Sequence, residues 1–373
     1  MTKPILYLLI VSFLFACSET KRSTENELSL PEKISAIFDS IPDFSGVVLL
    51  AEEGTPVFFA AFGARNFETT GAIQKNDIFE LASVSKQFTA MTIMMLAEDG
   101  LLSYGDPIKN YLTDIPYDGI TIRQLLNHTS GLPDYQAIMD ANWDKSKVAN
   151  NQDILEYLRK FRPPIEFEPG EKYAYSNTGY VFLASITESV SKKDFVEFCR
   201  ERIFYPLEMT FTDIRTNESK SQLSNLAHGH ISVPEKDRYV RADSFPSSNY
   251  TIWLGGRKGP GRVSSTAEDL LKWDQALSSE KLVSQKTLKQ AFTPAKLNDG
   301  SASNYGFGWI ITPDSPLGKV VWHDGDNPGY KTLIVRYLDS NKTLIMLCNN
   351  YHGQFERIRE RIEQLLSEES VKI

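Results

Sequence analysis

Three short motifs hold the residues of this chain that could carry out chemistry together: Ser83-Val-Ser-Lys86, Tyr175-Ser-Asn177 and His323-Asp-Gly325. They supply a hydroxyl, an amine, a phenol and an amide, which is a sufficient set for acyl transfer through a serine ester. The Ser-x-x-Lys spacing carries little information alone, because it recurs at three other places in the chain. Tyr-x-Asn and His-x-Gly each occur once, so the order of the three motifs is the informative feature.

The first two motifs are predicted to place a nucleophile beside a base. Ser83 and Lys86 lie three residues apart at the start of a predicted helix over 84–98, which puts both side chains on one face. The positive end of the helix favours the alkoxide-like transition state, and a lysine held there can have a lowered pKa. Tyr175, close to that cation, is expected to ionise more easily and act as a general base. Asn177 offers a donor and an acceptor to a substrate amide.

The third motif follows a predicted strand over 320–322. Gly325 is expected to let a substrate approach the backbone closely, since it has no side chain. Each motif also has an ordinary structural interpretation. Ser83 could be a helix cap, Tyr175 a core aromatic residue and His323 a surface turn residue. The occurrence of all three in order favours the catalytic interpretation.

The elements that must position these motifs form an α+β pattern. Alternating or continuous apolar runs predict strands near both ends of the chain, at 46–51, 56–61, 306–312, 319–322, 332–337 and 342–348. Helical periodicity predicts helices at 31–40, 84–98, 122–126, 153–160, 180–190, 195–202, 267–277 and 355–366. We therefore expect an antiparallel sheet flanked by helices and built from both chain ends, with a large helical insertion at about 101–300.

The N-terminus has the pattern of an export signal. Lys3 precedes an apolar stretch over 5–15, which is too short to span a bilayer comfortably and ends in Leu14-Phe15-Ala16-Cys17. This ending resembles the lipobox of bacterial lipoproteins, in which the cysteine is lipidated. The alternative is an ordinary signal peptide with an incidental Cys17. The expected organisation is a signal at 1–17, a polar tether at 18–30 and one hydrolase domain at 31–373.

Composition narrows the class of partner. The net charge of −8 and the lack of a dense basic run argue against nucleic acid as a ligand. Cys199 and Cys348 lie in apolar surroundings and are expected to be buried thiols. No Cys/His cluster has zinc spacing, so no metal and no cofactor are expected. The expected partners are a small-molecule or peptide substrate and, through the lipid anchor, a membrane; the oligomeric state stays open.

With these motifs in place, the chain resembles the serine β-lactamase and penicillin-recognising superfamily, in the branch of class C β-lactamases, D-alanyl-D-alanine carboxypeptidases and related esterases. Further stretches fit that branch: 100–107, 120–132, 206–209 and 261–270. The resemblance covers about residues 35–350 and implies a β-lactamase/transpeptidase-like fold. It also implies that Ser83 is acylated, that Lys86 and Tyr175 manage its proton, and that Asn177 holds the substrate amide. The backbone N–H groups of Ser83 and Asp326 would form the oxyanion hole.

One residue departs from the class C pattern. Those enzymes begin the third motif with lysine, whereas this chain has His323. We expect this histidine to be neutral at pH 7.5 and to gain charge toward pH 6, where it would bind a substrate carboxylate better. Arg257 or Lys258 could hold that carboxylate instead. A serine hydrolase of the cell envelope acting on an amide, lactam or ester is the favoured function, and a penicillin-recognising binding or sensor protein with little turnover is the alternative.

Overall fold

The computed structural model describes residues 28–69, 71–233 and 238–370. Its strands, in chain order, are β1 (Gly46–Glu52), β2 (Thr55–Phe62), β3 (Phe79–Glu80), β4 (Asp213–Ile214), β5 (His230–Val233), β6 (Arg238–Arg241), β7 (Val263–Ser265), β8 (Ile310–Ser315), β9 (Gly318–Asn327), β10 (Tyr330–Tyr337) and β11 (Lys342–Cys348). Six of them form an antiparallel sheet in the order β2-β1-β11-β10-β9-β8. Strands from the two ends of the chain therefore meet in the centre of the sheet, as the sequence predicts.

Helices cover both faces of the sheet and fill the segment between β2 and β8. Their bounds are α1 (Leu30–Asp39), α2 (Lys86–Glu98), α3 (Ile122–Leu126), α4 (Tyr135–Asn142), α5 (Asn151–Phe161), α6 (Asn177–Ser191), α7 (Phe195–Cys199), α8 (Asn217–Ser221), α9 (Tyr250–Trp253), α10 (Ala267–Ala276), α11 (Gln285–Ala291) and α12 (Phe355–Ser370). A π-helical turn, Arg200–Phe204, continues α7. None of the helices in the described ranges is long and apolar enough to cross a bilayer.

The continuous apolar run of β1 is explained by burial on both faces. Because side chains alternate along a strand, Val47 and Leu49 pack into one core with α2 and α10, whereas Val48 and Leu50 pack into a second core with α1 and α12. The second core includes Ile34 of α1. A strand covered on both sides has no polar face to show in its sequence. The sheet is thus held between two apolar layers, which fix its position rigidly.

A second, three-stranded sheet joins the helical segment to the nucleophile region, in the order β3-β7-β4. Sequence analysis missed β3 to β7, because strands of two to four residues are too short to show alternation. The predicted strand over 306–312 is also displaced, since β8 begins only at Ile310. Gly306 and Gly308 make a turn there; a Cβ on Gly306 would lie 1.9 Å from the Ala291 carbonyl oxygen, and Gly308 has φ +78°.

The predicted signal, Cys17 and most of the predicted tether lie outside the described residues. At the other end of that tether, α1 begins at Leu30. Ser29 is its N-cap, and the Ser29 N–H donates to the Glu32 side chain at 2.8 Å. Cys199 and Cys348 are both buried and free, as predicted.

Candidate active site

Ser83 lies in a 3-10 turn, Ala82–Ser85, that connects β3 to α2. Ala82 has φ +48°, a left-handed conformation that costs energy for a residue with a Cβ. Two hydrogen bonds fix the turn: the Val263 N–H donates to Ser85 Oγ at 3.1 Å, and Thr332 Oγ1 donates to the Leu81 carbonyl at 2.8 Å. The nucleophile candidate is therefore held where the small sheet, α2 and the large sheet meet.

Lys86 is the first residue of α2 and is completely buried. Its Nζ lies 3.2 Å from Ser83 Oγ, 2.8 Å from Asn177 Oδ1 and 2.9 Å from the Pro260 carbonyl oxygen. No carboxylate within the described ranges forms an ion pair with it. Burial lowers the pKa of Lys86 well below its usual value, and the Arg257 guanidinium lowers it further. The shift favours the neutral amine relative to a lysine in water.

Tyr175 lies directly before Ser176, the N-cap of α6, with its ring 4.6 Å from Lys86 Nζ. Burial raises the pKa of Tyr175 well above 10, and the neighbouring Ser83 hydroxyl opposes this rise. Solvent reaches 42% of the residue, which moderates the rise without reversing it. The direction of this shift is opposite to the expectation that Tyr175 ionises easily, and burial is its main cause.

Asn177 is the first residue of α6 and borders the same cavity as Ser83. Its side-chain oxygen accepts from Lys86 Nζ with one of its two lone pairs, and its NH2 group can donate to a substrate carbonyl. That Asn177 offers both a donor and an acceptor to a substrate stays a prediction.

His323 is buried, with 1% of its surface exposed. Nδ1 contacts the Asp324 carbonyl, which can only accept, so Nδ1 carries the proton and Nε2 accepts from the Tyr305 hydroxyl at 2.8 Å. Burial, together with the nearby Lys86, lowers the pKa of His323 to about 4, although Asp324 opposes the shift. The expected gain of charge near pH 6 is therefore wrong, because a buried imidazole with both nitrogens satisfied resists protonation.

Gly325 and Asp326 follow on β9, beside the nucleophile turn. A Cβ on Gly325 would lie 2.2 Å from the Leu81 carbonyl oxygen and 2.2 Å from Thr332 Oγ1. The side on which a Cβ would project is thus filled by the protein, which contradicts the expectation that Gly325 is there for substrate approach. Asp326 borders the cavity with Ser83, while its carboxylate binds the Tyr351 hydroxyl at 2.9 Å and Lys331 at 3.3 Å.

His128 contacts both Tyr175 and the residue that follows it. Its backbone φ is +60°, and its Nδ1 accepts from the Ser176 N–H at 3.0 Å. The imidazole packs against the Tyr175 ring with centroids 4.3 Å apart and against Tyr305 at 4.5 Å. Burial lowers the pKa of His128 well below 6.5, so the ring is neutral. His128 thus positions the phenol through these contacts.

The cavity beside Ser83 has a volume of about 90 Å³. Its walls include Ser83, Gln136, Asn177, Tyr250, Arg257, Arg262 and Asp326. Of these, sequence analysis missed Gln136, Tyr250 and Arg262. The glycine-rich segment 255–261 was a sequence signal for this part of the wall, because it supplies Arg257, Pro260 and Gly261 and directly precedes Arg262. It is packed rather than free, because its Pro260 carbonyl binds Lys86 and a Cβ on Gly259 would lie 2.1 Å from the Tyr180 carbonyl oxygen.

The structure brings the predicted site residues to one place. Lys86 contacts Ser83 and Asn177 directly, and the Tyr175 ring lies 6.1 Å from that of His323. A hydroxyl, a buried amine, a phenol and an amide donor thus lie close together, and the hydroxyl and the amide also border the cavity. This arrangement is suited to nucleophilic attack by a serine and to proton transfer around it.

Comparison with known proteins gives three findings. A family model described as Beta-lactamase matches residues 34–368. The chain is 40% identical over 320 residues to "Penicillin-binding protein 4*" of Bacillus subtilis (strain 168), covering 85% of this chain and 71% of that protein. A penicillin-binding protein from Bacillus halodurans superposes with a TM-score of 0.76 at 26% identity, covering 89% of this chain and 98% of the other.

A fourth likeness concerns a different substrate class. The D-amino acid amidase of Ochrobactrum anthropi SV3, complexed with D-phenylalanine, superposes with a TM-score of 0.72 at 25% identity. The match covers 92% of this chain and 99% of that one. Proteins with this fold therefore include one that recognises penicillin and one that acts on D-amino acid amides.

Proposed function

The chain belongs to the Beta-lactamase family and is a serine hydrolase of that family; on this premise we propose that Ser83 forms a covalent acyl-enzyme with an amide, lactam or ester. The observation that carries the proposal is the environment of Lys86 Nζ. Two of its three neighbours, Asn177 Oδ1 and the Pro260 carbonyl, can only accept hydrogen bonds. A neutral amine gives its two hydrogens to these acceptors, which leaves its lone pair directed toward the Ser83 hydroxyl.

Acylation then proceeds in balanced steps. The Ser83 hydroxyl oxygen attacks the substrate carbonyl carbon while its proton passes to Lys86 Nζ. The bond from that carbon to the leaving nitrogen or oxygen breaks, and the Tyr175 phenol donates its proton to the leaving group. Tyr175 then regains a proton from Lys86. The two groups are close together, because Lys86 Nζ lies 4.6 Å from the centroid of the Tyr175 ring. The raised pKa of Tyr175 suits a proton donor, because the phenol stays protonated until charge develops on the leaving group.

Deacylation uses the same groups in reverse. A water attacks the acyl carbon while one of its protons passes to Lys86; the bond from that carbon to Ser83 Oγ then breaks, and Lys86 returns the proton to Ser83 Oγ. We assign the oxyanion hole to the backbone N–H groups of Ser83 and Asp326. The tight packing of Gly325 against Leu81 supports this assignment, because it fixes the position of β9 relative to the nucleophile turn. Asn177 donates to the carbonyl of the acyl part of the substrate.

One experiment tests the proposed function. A panel of a chromogenic cephalosporin, a 4-nitrophenyl ester, a D-Ala-D-Ala peptide and D-phenylalanine amide is given to wild type and to Ser83→Ala. We expect turnover of at least one compound by the wild type and a loss of at least about 10³-fold in Ser83→Ala. Mass spectrometry should place a fluorophosphonate adduct on Ser83. Stoichiometric acylation without turnover of any compound would favour the binding or sensor function, and a label on another serine would refute the assignment.

We also propose that the protein is exported and anchored by lipid on Cys17 to a bacterial cell-envelope membrane. The support is the sequence pattern at 1–17, which lies outside the described residues. Full-length protein expressed in a bacterium should partition into detergent, whereas Cys17→Ser should not. Equal partitioning of both forms would refute lipidation at Cys17.

A further inference from the structure

Two guanidinium groups border the nucleophile cavity without a carboxylate partner. Arg257 and Arg262 both line the cavity that contains Ser83 and Asn177. Within the described ranges, neither one is within ion-pair distance of an aspartate or glutamate. Most buried charges in proteins are paired, because desolvation of an isolated ion is costly. Two unpaired cations beside a reactive serine therefore require an explanation.

Arg262 is the more deeply buried of the two, with 6% of its surface exposed. Its Nη2 donates to Asn217 Oδ1 at 2.7 Å and its Nη1 contacts the Thr251 carbonyl at 3.4 Å, but its buried Nε has no hydrogen-bond partner. The residue also has φ +83°, a conformation that favours glycine. Arg262 thus combines backbone strain, burial and an unsatisfied donor. A ligand that accepts from this guanidinium would account for the combination.

Arg257 is half-buried and closer to the nucleophile turn. Its Nη1 donates to the Tyr135 hydroxyl at 2.8 Å, and its Nε has no partner. Its Nη2 lies 3.9 Å from the point where a Cβ would project from Gly261, and that same point is 3.7 Å from the Ala82 carbonyl oxygen. The absence of a side chain at Gly261 therefore leaves open space between the Arg257 guanidinium and the turn that carries Ser83.

The carboxylates that face this region are engaged elsewhere. Glu80 lines the cavity and is ion-paired with Lys220. Asp326 is bound by Lys331 at 3.3 Å and by the Tyr351 hydroxyl. Neither is left to neutralise the two arginines, so the cavity has an excess of positive charge.

A larger cavity of about 510 Å³ continues from this point and shares Glu80, Arg262 and Asn327 with the nucleophile cavity. Its charged wall residues are Glu80, Lys220, Arg241, Asp243 and Arg262. Three cations and two carboxylates therefore line this larger cavity. A substrate chain with an anionic group has room to extend past Arg262.

We propose that Arg257 and Arg262 form a subsite for a carboxylate carried by the acyl part of the substrate. This inference rests on the proposed function and deepens it. The acyl side is indicated because Asn177, assigned to the acyl carbonyl, borders the same cavity, whereas Tyr175 and His323 do not. The planar fork of a guanidinium matches a carboxylate in two parallel hydrogen bonds. Arg257 is the accessible member, and Arg262 supplies a fixed charge behind it.

The test compares two esters that differ only in charge: mono-4-nitrophenyl adipate, whose acyl chain ends in a carboxylate, and its methyl ester. The measured quantity is the ratio of their kcat/KM values, charged over neutral, after subtraction of spontaneous hydrolysis. We expect Arg257→Gln to lower this ratio about tenfold and Arg257→Lys to retain part of it, since lysine keeps the charge but not the fork. Arg257 is chosen over Arg262 because a half-buried side chain can be replaced without an internal void.

Lys258→Gln is the matched control. It removes the same charge one residue away, but Lys258 is ion-paired with Asp194 at 2.5 Å and lies outside the cavity lining. We expect its ratio to stay within about twofold of wild type. An unchanged ratio in Arg257→Gln would overturn the subsite. An equal fall in both variants would overturn it too, because the effect would then come from the general field of the protein.

The side of the substrate is tested with a second pair, the thioglycolate thioester of N-benzoylglycine and its methyl ester, in which the leaving group carries the charge. A tenfold fall for this pair in Arg257→Gln would overturn the placement on the acyl side. Failure of the proposed function gives a different result: Ser83→Ala would then hydrolyse both adipate esters as fast as wild type.

Discussion

The Tyr305 hydroxyl donates a 2.8 Å hydrogen bond to Nε2 of His323, and this contact favours the neutral imidazole at the start of the third motif. Nδ1 is bound to the Asp324 carbonyl, so both ring nitrogens are satisfied in the neutral form, and burial lowers the pKa of His323 to about 4. The motif therefore cannot act as the cation that holds a substrate carboxylate at physiological pH. Any such role falls to a permanently charged group, and Arg257 and Arg262 are the ones that border the nucleophile cavity.

The first prediction concerns pH and His323. Because burial lowers its pKa to about 4, the histidine is neutral throughout pH 6–8. We expect the kcat/KM ratio of the thioglycolate thioester of N-benzoylglycine to its methyl ester to stay within about twofold over this range. Steady-state kinetics of the two esters at half-unit pH intervals measure it. A tenfold rise toward pH 6 would show that His323 gains charge there.

The second prediction concerns the pKa of Lys86. Its desolvation is the main cause of the lowered value, and Arg257 adds like-charge repulsion. If neutral Lys86 is the base, kcat/KM for a neutral ester falls as pH drops below the pKa of Lys86. Arg257→Gln removes the repulsion, so that pKa rises and the acidic limb of the profile should move to higher pH. Lys258→Gln provides the control. A limb that stays in place, or moves to lower pH, would contradict this assignment.

Tyr175→Phe is the third prediction. The phenylalanine keeps the ring contact with His128 but removes the proton donor for the leaving group. We expect kcat on the best amide substrate to fall by at least about 10²-fold, with the thermal unfolding midpoint close to wild type. An ester with a good leaving group should be affected less, because 4-nitrophenolate departs without a proton. Equal activity of the variant on the amide would exclude the phenol from proton transfer.

The fourth prediction concerns Gly325. An added Cβ would collide with the Leu81 carbonyl and Thr332, so Gly325→Ala should destabilise the fold by roughly 1–3 kcal/mol or more and displace β9 from the nucleophile turn. Gly353→Ala is the matched control, because nothing lies within 4 Å of the added Cβ there. Its stability should stay within about 0.5 kcal/mol of wild type. Denaturant unfolding and ester hydrolysis of both variants measure the difference. Equal stabilities would mean that β9 adjusts freely.

Much of the fold could be predicted because long apolar patterns determine it. The strand at 342–348 and the helix at 122–126 have the predicted bounds, since both patterns are strong and clearly bounded. The short strands β3 to β7 could not be predicted. Their pairing is set by the surrounding structure, as when β3 and β4 both pair with β7.

The main residues of the site could be predicted from the sequence, but their protonation states could not. Local spacing indicates that Ser83 and Lys86 share a helix face, and their side chains are 3.2 Å apart. The protonation states of Tyr175 and His323 were predicted wrongly, because they depend on burial by residues distant in sequence. Arg262 was missed for the same reason: no pattern around it reveals an unpaired guanidinium facing the serine.

The pairing of β1 with β11 has a consequence for biosynthesis. The ribosome releases β1 early, but its central partner is among the last segments to emerge. Until then one edge of an almost wholly apolar strand stays open to other chains, which is a risk of aggregation. Pairing of two strands that lie so far apart in the sequence is also slow. The large sheet therefore cannot be completed until its final strand has been made.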